Sequence, residues 1–307
     1  MRAAWYTEHG PPEVLTVGEQ PDPRPGVGEV RVKVGWSGVN PVDWKSRGRG
    51  RASGRLQIPH HDGAGVVESV GEGVPSTLVG QRVWVHGAAH RRAGGTAAEL
   101  TCVPLAHAVP LPDDVSLRDG ACLGVPFLTA ARCLDVEEPA ASVLVFGAGA
   151  VGSAVVQLAG PGVRVHCVVR REEQAVHVRA LGGIPVTLDS LPDRIDLVVD
   201  ADPSEDLPHY AERLARGGSV ALIGAPAGLE LPLRRWMANN VTVRSVLVFT
   251  LSDRVLSRCV DTVSALLRRQ PPATPPVEVY GLDEVAAAHA RAESPGPRKV
   301  LVEVGGG

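Results

Sequence analysis

The sequence predicts an α/β protein in which a doubly wound parallel sheet is inserted into a second, strand-rich domain. Buried-type strands alternate with helices through the middle of the chain, and a glycine-rich turn joins the first of these strands to its helix. Short strands between Gly and Pro turns occupy both ends. We therefore expect a parallel-sheet domain at 120–252 and a strand-rich domain built from 1–119 and 253–307.

The strand-rich domain is predicted from runs of β-branched and apolar residues. In the first third of the chain these runs are EVRVKVGWSGV, GAGVVESVG, GQRVWVHG and AAELTCVPL, separated by Gly and Pro turns. Near the C-terminus, VEVYGLDEVAAAHARAE and KVLVEV show the same strand-rich pattern, together with one predicted helix. We therefore expect one β-barrel-like domain to which both ends contribute.

The uncharged stretch VLVFGAGAVGSAVVQLAG, residues 143–160, opens the parallel sheet. It is apolar enough to suggest a membrane helix, but its glycines disfavour one unbroken helix of about twenty residues. Divided after Phe146, it becomes a short buried strand followed by a helix that ends near Gly160. We predict a strand, a tight turn and a helix, and no membrane span.

The turn carries the order G-x-G-x-x-G, which is typical of a dinucleotide-binding Rossmann fold when a strand precedes it and a helix follows. Gly147 would make the turn, Gly149 would let a pyrophosphate approach, and Gly152 would let the helix pack closely on the strand. The helix N-terminus offers unpaired N–H groups to the phosphates. We expect cofactor contacts from Gly147, Gly149, Ala150, Val151 and Gly152.

The end of the next strand indicates which dinucleotide binds. The strand VRVHCVV, residues 163–169, is followed by Arg170 and Arg171, with no carboxylate before Glu172. An acidic residue there would bind the ribose 2′-hydroxyl of NAD, whereas guanidinium groups match a 2′-phosphate. We predict NADPH as the cofactor; the alternative is that both arginines are merely a solvated strand end.

Further elements complete the sheet. IDLVVDA at 195–201, GGSVALIGA at 217–225 and VTVRSVLVF at 241–249 are predicted strands. SEDLPHYAERLAR has helical periodicity, and residues 253–269 are predicted to form an amphipathic helix. This alternation favours a compact, doubly wound Rossmann sheet with right-handed crossovers.

Composition argues against several classes of function. The net charge is −3, and the one basic cluster, residues 47–55, is Gly-rich without aromatic partners, so we expect a solvated loop and no nucleic-acid binding. The five cysteines lack C-x-x-C spacing, which suits reduced thiols and gives no zinc-ribbon signature. Because the N-terminus shows no cationic, apolar leader, we expect a cytoplasmic protein.

Several stretches occur in an order that is typical of one enzyme family: GPPEVLTV, GEVRVKVGWSGVNPVDWKSRG, IPHHDGAGVVESVGEGV, GTAAELTCVPLAHAVPLPDDVSLRDGACLGVPFLTAARCL, GAGAVGSAVVQLA and LDEVAAAHARAES…RKVLVEV. Together they resemble the zinc-free quinone oxidoreductase (zeta-crystallin-like) branch of the medium-chain dehydrogenase/reductase superfamily. The resemblance implies a GroES-like β-barrel catalytic domain around a Rossmann domain. Relatives pair the last Rossmann strand across a two-fold axis, which implies a homodimer through 241–249.

The resemblance also bears on a metal ion. Zinc-dependent alcohol dehydrogenases of this superfamily have Cys, His and Cys where this chain has Asn40, His61 and Val125. A catalytic zinc needs three protein ligands, so we predict no metal. His60 and His61 are then expected to line the substrate pocket or to form hydrogen bonds.

Zinc-free relatives use NADPH to reduce quinones or the C=C bond of α,β-unsaturated carbonyls, and the resemblance implies this activity on a small molecule, with secondary metabolism as one setting. By resemblance, Asn40 lies beside the nicotinamide and places cofactor or substrate. Asp43 fixes the loop or relays a proton, or only caps the following turn. The remaining expected residues are Thr129, Gly224 and Phe249 for the cofactor, and Trp44 and Phe127, with Phe249, for an apolar substrate wall or for core packing.

Two departures from the relatives leave other functions open. The Tyr that many relatives carry after the Asn-containing motif is absent, and the loop after VVDA is the acidic DPSED. One alternative is a biosynthetic enzyme that catalyses a non-redox cyclisation or isomerisation with a structural or absent cofactor. A non-enzymatic NADPH sensor or scaffold is another, although the intact glycines argue against loss of the cofactor.

Overall fold

The structure is a computed structural model that describes residues 1–49, 55–224, 226, 228–294 and 298–305. The predicted basic loop at 47–55 and the last residue of the predicted strand 217–225 therefore lie partly outside the described residues. In chain order the strands are β1 (Arg2–Trp5), β2 (Thr16–Glu19), β3 (Glu29–Val39), β4 (Asp62–Val70), β5 (Arg82–Val85), β6 (Leu100–Pro104), β7 (Ala108–Pro110), β8 (Ser142–Phe146), β9 (Arg164–Val168), β10 (Ile184–Val186), β11 (Ile195–Asp200), β12 (Leu214–Leu222), β13 (Thr242–Ser245), β14 (Val277–Gly281) and β15 (Lys299–Glu303). The α-helices are α1 (Pro41–Gly48), α2 (Leu117–Gly120), α3 (Gly124–Leu134), α4 (Ala150–Leu158), α5 (Glu172–Ala180), α6 (Pro203–Tyr210), α7 (Leu233–Ala238), α8 (Asp253–Leu267) and α9 (Val285–Glu293).

The chain forms two compact units. The strand-rich unit comprises Met1–Val125 and Leu267–Gly307, and the parallel-sheet unit comprises Pro126–Leu266. The sequence analysis divided the chain after 119 and after 252, which assigned α8 to the strand-rich domain. In the structure α8 belongs to the parallel-sheet unit, because its buried Cys259 lines a cavity together with Val143 of β8.

The strand-rich unit is built on one seven-stranded sheet. Its order is β14-β15-β3-β4-β5-β7, with β6 also paired to β3, while β1 and β2 form a separate antiparallel pair. Alternate residues of β3 point into the core, where Val30, Val32 and Val34 are at most 1% exposed. This period of two is what a half-buried strand requires, and it confirms the strands that the sequence predicted here.

The parallel-sheet unit has the strand order β10-β9-β8-β11-β12-β13, and every neighbouring pair is parallel. The chain winds outward from β8 to β10, returns to the middle, and winds the other way from β11 to β13. The predicted doubly wound sheet is therefore confirmed. Ligands of such sheets bind at the carboxyl ends of the strands where the winding reverses, which in this sheet is between β8 and β11.

The last predicted strand is shorter than expected. Of the predicted strand 241–249, only the part that forms β13 pairs with the sheet. Its last residue, Ser245, is the register partner of Leu222, where β12 ends. The following residues, Val248–Thr250, form a 3-10 helix. The homodimer through this edge strand stays a prediction.

Residues 143–160 divide into β8 and α4 as predicted. Within the described ranges, no helix combines the length and the apolar character that a membrane crossing requires.

Candidate functional site

The glycine turn of the parallel-sheet unit leaves the start of α4 open. Gly147 has a φ of 100°, a left-handed conformation that glycine adopts without strain. Gly149 precedes α4 and supplies no side chain to cap its first turn, so the N–H groups of Ala150 and Val151 are available to an anion. A Cβ built on Gly149 meets no atom within 4 Å. This turn therefore fits the pyrophosphate of a dinucleotide.

Gly152 is required for a different reason. A Cβ built on it would lie 2.1 Å from the carbonyl oxygen of Gly147 and 3.4 Å from Cγ1 of Val145. A larger residue would push the first turn of α4 away from the end of β8. Gly152 thus keeps the helix N-terminus against the strand, as the sequence predicted.

Two exposed arginines follow the neighbouring strand, β9. The Arg170 side chain is 78% exposed, and its guanidinium lies 3.8 Å from the carboxylate of Glu205. Glu172, the next acidic residue after Arg171, is occupied by a salt bridge of 2.9 Å to Arg179. The end of β9 thus presents guanidinium groups, which suit a 2′-phosphate.

In the strand-rich unit, Asp43 connects α1 to His61. The N–H of Asn40, just before α1, donates to Oδ2 of Asp43 at 2.7 Å. Oδ1 of Asp43 accepts hydrogen bonds from Nδ1 of His61 at 2.6 Å and from the backbone N–H of His61 at 3.2 Å. Asp43 therefore caps α1 and also fixes the orientation of the imidazole ring, with the proton on Nδ1.

The two side chains stabilise each other's charged forms. Burial raises the pKa of Asp43, but the nearby charge of His61 and their hydrogen bond outweigh burial and lower the pKa to about 2. Burial lowers the pKa of His61, but the Asp43 carboxylate outweighs burial and raises it above the ordinary value. Asp43 thus remains ionised while His61 keeps its second proton to a higher pH than a free histidine.

The Asn40 side chain joins a buried cation to a buried anion. Its Oδ1 accepts a hydrogen bond from Nζ of Lys299 at 2.7 Å, and its Nδ2 donates to Oδ2 of Asp62 at 2.7 Å. The amide orientation follows from the partners, because an ammonium only donates and a carboxylate only accepts. We call this Lys299–Asn40–Asp62 arrangement the amide bridge. Each member is at most 3% exposed.

Asp62 also stabilises the start of α3. Its Oδ2 accepts from the backbone N–H of Val125 at 2.8 Å, where the helix dipole favours a negative charge. Its Oδ1 is buried without a hydrogen-bond partner among the described residues. Burial raises the pKa of Asp62, Lys299 opposes this, and the result is a pKa of about 6. The carboxylate is therefore largely ionised at neutral pH, with Lys299 as its counter-charge.

His60 belongs to a buried hydrogen-bond chain. Nη1 of Arg47 lies 3.1 Å from Nδ1 of His289, the two Nε2 atoms of His289 and His60 are 2.9 Å apart, and Nδ1 of His60 lies 2.8 Å from Oγ of Ser37. Ser37 then contacts the hydroxyl of Thr96, which donates to a backbone carbonyl. The guanidinium can only donate and the carbonyl can only accept. Each group between them therefore accepts one hydrogen bond and donates the next one towards the carbonyl.

This chain assigns His60 a structural role. Burial lowers the pKa of His60 to about 4 and that of His289 to about 3, so both rings are neutral, as the chain requires. His60 is 0% exposed and has a left-handed φ of 75°, which the chain helps to hold. Of the two roles expected for His60, hydrogen bonding is the one observed, because both of its ring nitrogens are bonded inside the core; its place in a substrate pocket stays a prediction.

The other predicted residues divide between the two units. Trp44, on α1, is partly buried, and its Nε1 has no hydrogen-bond partner among the described residues. The parallel-sheet unit contains Phe127 and Thr129 on α3, both buried, with Gly224 after β12 and Phe249 in the 3-10 turn. Asn40, Asp43 and His61 form one cluster, and the glycine turn forms another. The roles assigned to these residues stay predictions.

Sequence reasoning missed Lys299 and Asp62. Each is an ionisable residue at the first position of a strand, β15 and β4 respectively, and is followed there by a run of residues without polar side chains. That position was the available signal, since a charge entering a core strand needs a partner. Their connection through Asn40 spans 259 residues of sequence, and no local pattern encodes it.

The side chains at the positions of the zinc ligands do not fit a zinc ion. The oxygen and nitrogen of the Asn40 amide are both engaged, and the Lys299 ammonium lies 2.7 Å from that oxygen. The Val125 side chain has no atom that can ligate a metal ion. In the described part of the chain, no group of three or more His, Cys, Asp or Glu side chains could hold a metal ion. A catalytic zinc would lack ligands and face a cation.

We expect Lys299 and Asp62 to be energetically coupled. Lys299→Met leaves the Asp62 carboxylate buried without its counter-charge, so the free energy of unfolding at pH 7 falls by about 3–5 kcal/mol. Adding Asp62→Asn removes that charge, and the double variant should lose clearly less than the sum of the single losses. Urea denaturation of the three variants measures this coupling.

Lys33→Met is the matched control, because Lys33 is exposed on β3, and its effect should stay within about 0.5 kcal/mol. Additive losses for Lys299 and Asp62 would contradict the amide bridge. If Lys299→Met does not fold, recovery of soluble, cooperatively unfolding protein on adding Asp62→Asn gives the same answer.

Comparison with known proteins places this geometry in a family. Residues 26–113 match the family model for the alcohol dehydrogenase GroES-like domain. The chain is 30% identical to a quinone oxidoreductase of Rattus norvegicus over 312 residues, which cover 94% of this chain and 93% of the relative.

Solved structures agree. An NAD-dependent alcohol dehydrogenase superimposes with a TM-score of 0.86 at 26% identity, covering 99% of this chain and 100% of that one. A mycobacterial protein complexed with NADPH gives a TM-score of 0.80 at 26% identity, with the same coverage. The protein belongs to the quinone oxidoreductase branch of the medium-chain dehydrogenase/reductase superfamily, and it is an NAD(P)-dependent oxidoreductase.

Proposed function

We propose that this protein is an NADPH-dependent reductase that transfers hydride, without a metal ion, to a quinone or to the C=C bond of an α,β-unsaturated carbonyl. The observation that carries the proposal is the open glycine turn before α4 combined with the guanidinium groups at the end of β9. The names of two similar proteins support it, one a quinone oxidoreductase and the other complexed with NADPH.

The parallel-sheet unit would hold the cofactor by its phosphates. The first N–H groups of α4 would bind the pyrophosphate, and Arg170 and Arg171 would bind the 2′-phosphate. When bound, the nicotinamide supplies the hydride. The protein then has to orient the reactants and provide charge and a proton where the acceptor needs them.

The amide bridge makes Asn40 a positioning residue. Its carbonyl oxygen is held by Lys299, and its amide nitrogen donates to Asp62 at 2.7 Å and to the carbonyl of Gly38 at 3.4 Å. With both amide hydrogens engaged inside the core, Asn40 has no hydrogen left to donate to a substrate oxygen. Its contribution would be to fix the backbone at the start of α1, from which Asp43 orients His61.

We propose the Asp43–His61 pair as the source of the proton. Reduction of a quinone or an enone places negative charge on an oxygen, which a positioned acid can neutralise. Asp43 raises the pKa of His61 and fixes its ring through Nδ1. The pair therefore supplies an acid in a chain that lacks the Tyr of many relatives.

The activity test is acceptor-dependent loss of NADPH absorbance. We expect one NADPH to be consumed per molecule of 1,4-benzoquinone or of an enone reduced, in protein treated with a chelator. Product formation at constant NADPH would replace the proposal with the non-redox alternative. Nucleotide binding without any turnover over a panel of quinones and enones would favour the sensor.

A pH profile tests the proposed acid. His61 donates only while protonated, so the rate should fall as the pH rises through the pKa of His61, and Asp43→Asn should move this fall to lower pH because the carboxylate no longer raises that pKa. Asp113→Asn is the control, since Asp113 is fully exposed and 3.8 Å from Arg82, and it should leave the profile unchanged. An unshifted profile in Asp43→Asn would rule the pair out as the proton source.

A further inference from the structure

Two carboxyl groups lie together at the carboxyl end of β11. Asp200, the last residue of β11, is 0% exposed, and its Oδ2 accepts from the hydroxyl of Tyr210 at 2.8 Å, while its Oδ1 accepts from the N–H of Asp202 at 2.9 Å. Asp206, on α6, is 8% exposed and shares a hydrogen bond with the Asp200 carboxyl. Two ionised carboxylates repel and neither can donate a hydrogen bond to the other, so the hydrogen-bonded pair retains one proton.

The pair lies at the point of the sheet where a ligand is expected. β11 is the neighbour of β8, and the winding reverses between them. The glycine turn follows β8 at the same edge. Glu205, the residue before Asp206, lies 3.8 Å from Arg170, the predicted 2′-phosphate residue, and the charge of Arg170 lowers the pKa of Asp206.

The surroundings of Asp206 place its titration near neutral pH. Burial raises its pKa, the charge of Asp200 and their shared hydrogen bond raise it further, Arg170 lowers it, and the result is about 7. The other polar groups on this side are Asp202, which raises the pKa, the Tyr210 hydroxyl and the exposed Glu205. Small changes in local charge therefore shift the protonation of Asp206.

We propose that Asp206 controls the affinity for the 2′-phosphate: protonated and bonded to Asp200, it leaves Arg170 to the phosphate, and ionised, it competes with the phosphate for Arg170. This inference rests on the proposed use of NADPH. A bound 2′-phosphate brings further negative charge and draws on the positive charge of Arg170, so it favours protonated Asp206. Binding of a nucleotide with a 2′-phosphate is therefore linked to the uptake of a proton by the protein, and binding of NADH is not.

The sign of this linkage is diagnostic. A phosphomonoester has a second pKa near 6, and binding to a guanidinium lowers that pKa, so the phosphate alone would release protons on binding. Proton uptake by Asp206 has the opposite sign and acts at higher pH. If binding raises the pKa of Asp206 by about one unit, affinity falls about tenfold as the pH rises through that range.

The test is calorimetric titration of the full chain with NADPH, NADH and 2′,5′-ADP from pH 6.5 to 8.5, in buffers of different ionisation enthalpy. For the unmodified protein we expect proton uptake, and a roughly threefold to tenfold loss of affinity, for both 2′-phosphorylated ligands. NADH should show neither. Asp206→Asn, whose amide can still donate to Asp200, should bind them with no proton uptake and no loss of affinity at high pH.

Glu205→Gln is the matched control: it removes an acidic neighbour of Arg170 outside the carboxyl pair, so it should keep the pH dependence. Arg170→Gln, at an exposed position, should lose the preference for 2′-phosphorylated ligands together with the pH dependence, and it serves if Asp206→Asn folds poorly. Equal pH dependence in Asp206→Asn and the unmodified protein, or an equal dependence for NADH, would overturn the role of Asp206. Failure to bind NADPH at any pH would instead reject the proposed function.

Discussion

The parallel-sheet unit can receive a nucleotide only because α4 starts directly against the end of β8. The carbonyl of Gly147 occupies the space that a side chain at position 152 would need. A Cβ built on Gly152 would lie 2.1 Å from that carbonyl oxygen. A larger residue at 152 would push the first turn of α4 away from β8, and the open face at Gly149 leaves the first N–H groups accessible. The roles proposed for the arginines at the end of β9 and for the carboxyl pair at the end of β11 depend on that helix start.

The strand-rich unit meets a different constraint, the burial of several charges in one core. Lys299 and Asp62 are joined through the Asn40 amide, Asp43 is paired with His61, and Arg47, which ends the chain of neutral histidines, forms a salt bridge with Glu293. Each charge is therefore compensated by a partner within the same unit, as buried charges require. Where zinc-dependent relatives have a thiolate ligand, this chain has an amide that bridges two opposite charges.

Local patterns sufficed for most of the fold, because strand alternation, the glycine turn and the strands β8, β9, β11, β12 and β13 are written in consecutive residues, although the short β10 was not predicted. They failed where the outcome depended on distant neighbours. The pairing of β13 ends at Ser245, opposite the last residue of β12, and α8 joins the parallel-sheet unit because its buried face contacts that unit. In the site, the glycines were predictable from their spacing and Asp43 from the family resemblance, whereas the partners Lys299 and His289 come from the far end of the chain. His60 and His61 were assigned the same two expected roles, because adjacent histidines look alike in sequence.

The most direct test of the proposed cofactor is a fluorescence titration of the purified protein with NADPH and with NADH, repeated on a variant that carries Arg170→Gln and Arg171→Gln. We predict at least about tenfold tighter binding of NADPH, equivalent to about 1.4 kcal/mol, and loss of this preference in the variant with NADH affinity retained. Equal affinity for both nucleotides, or a preference that survives in the variant, would contradict the assignment of these arginines to the 2′-phosphate.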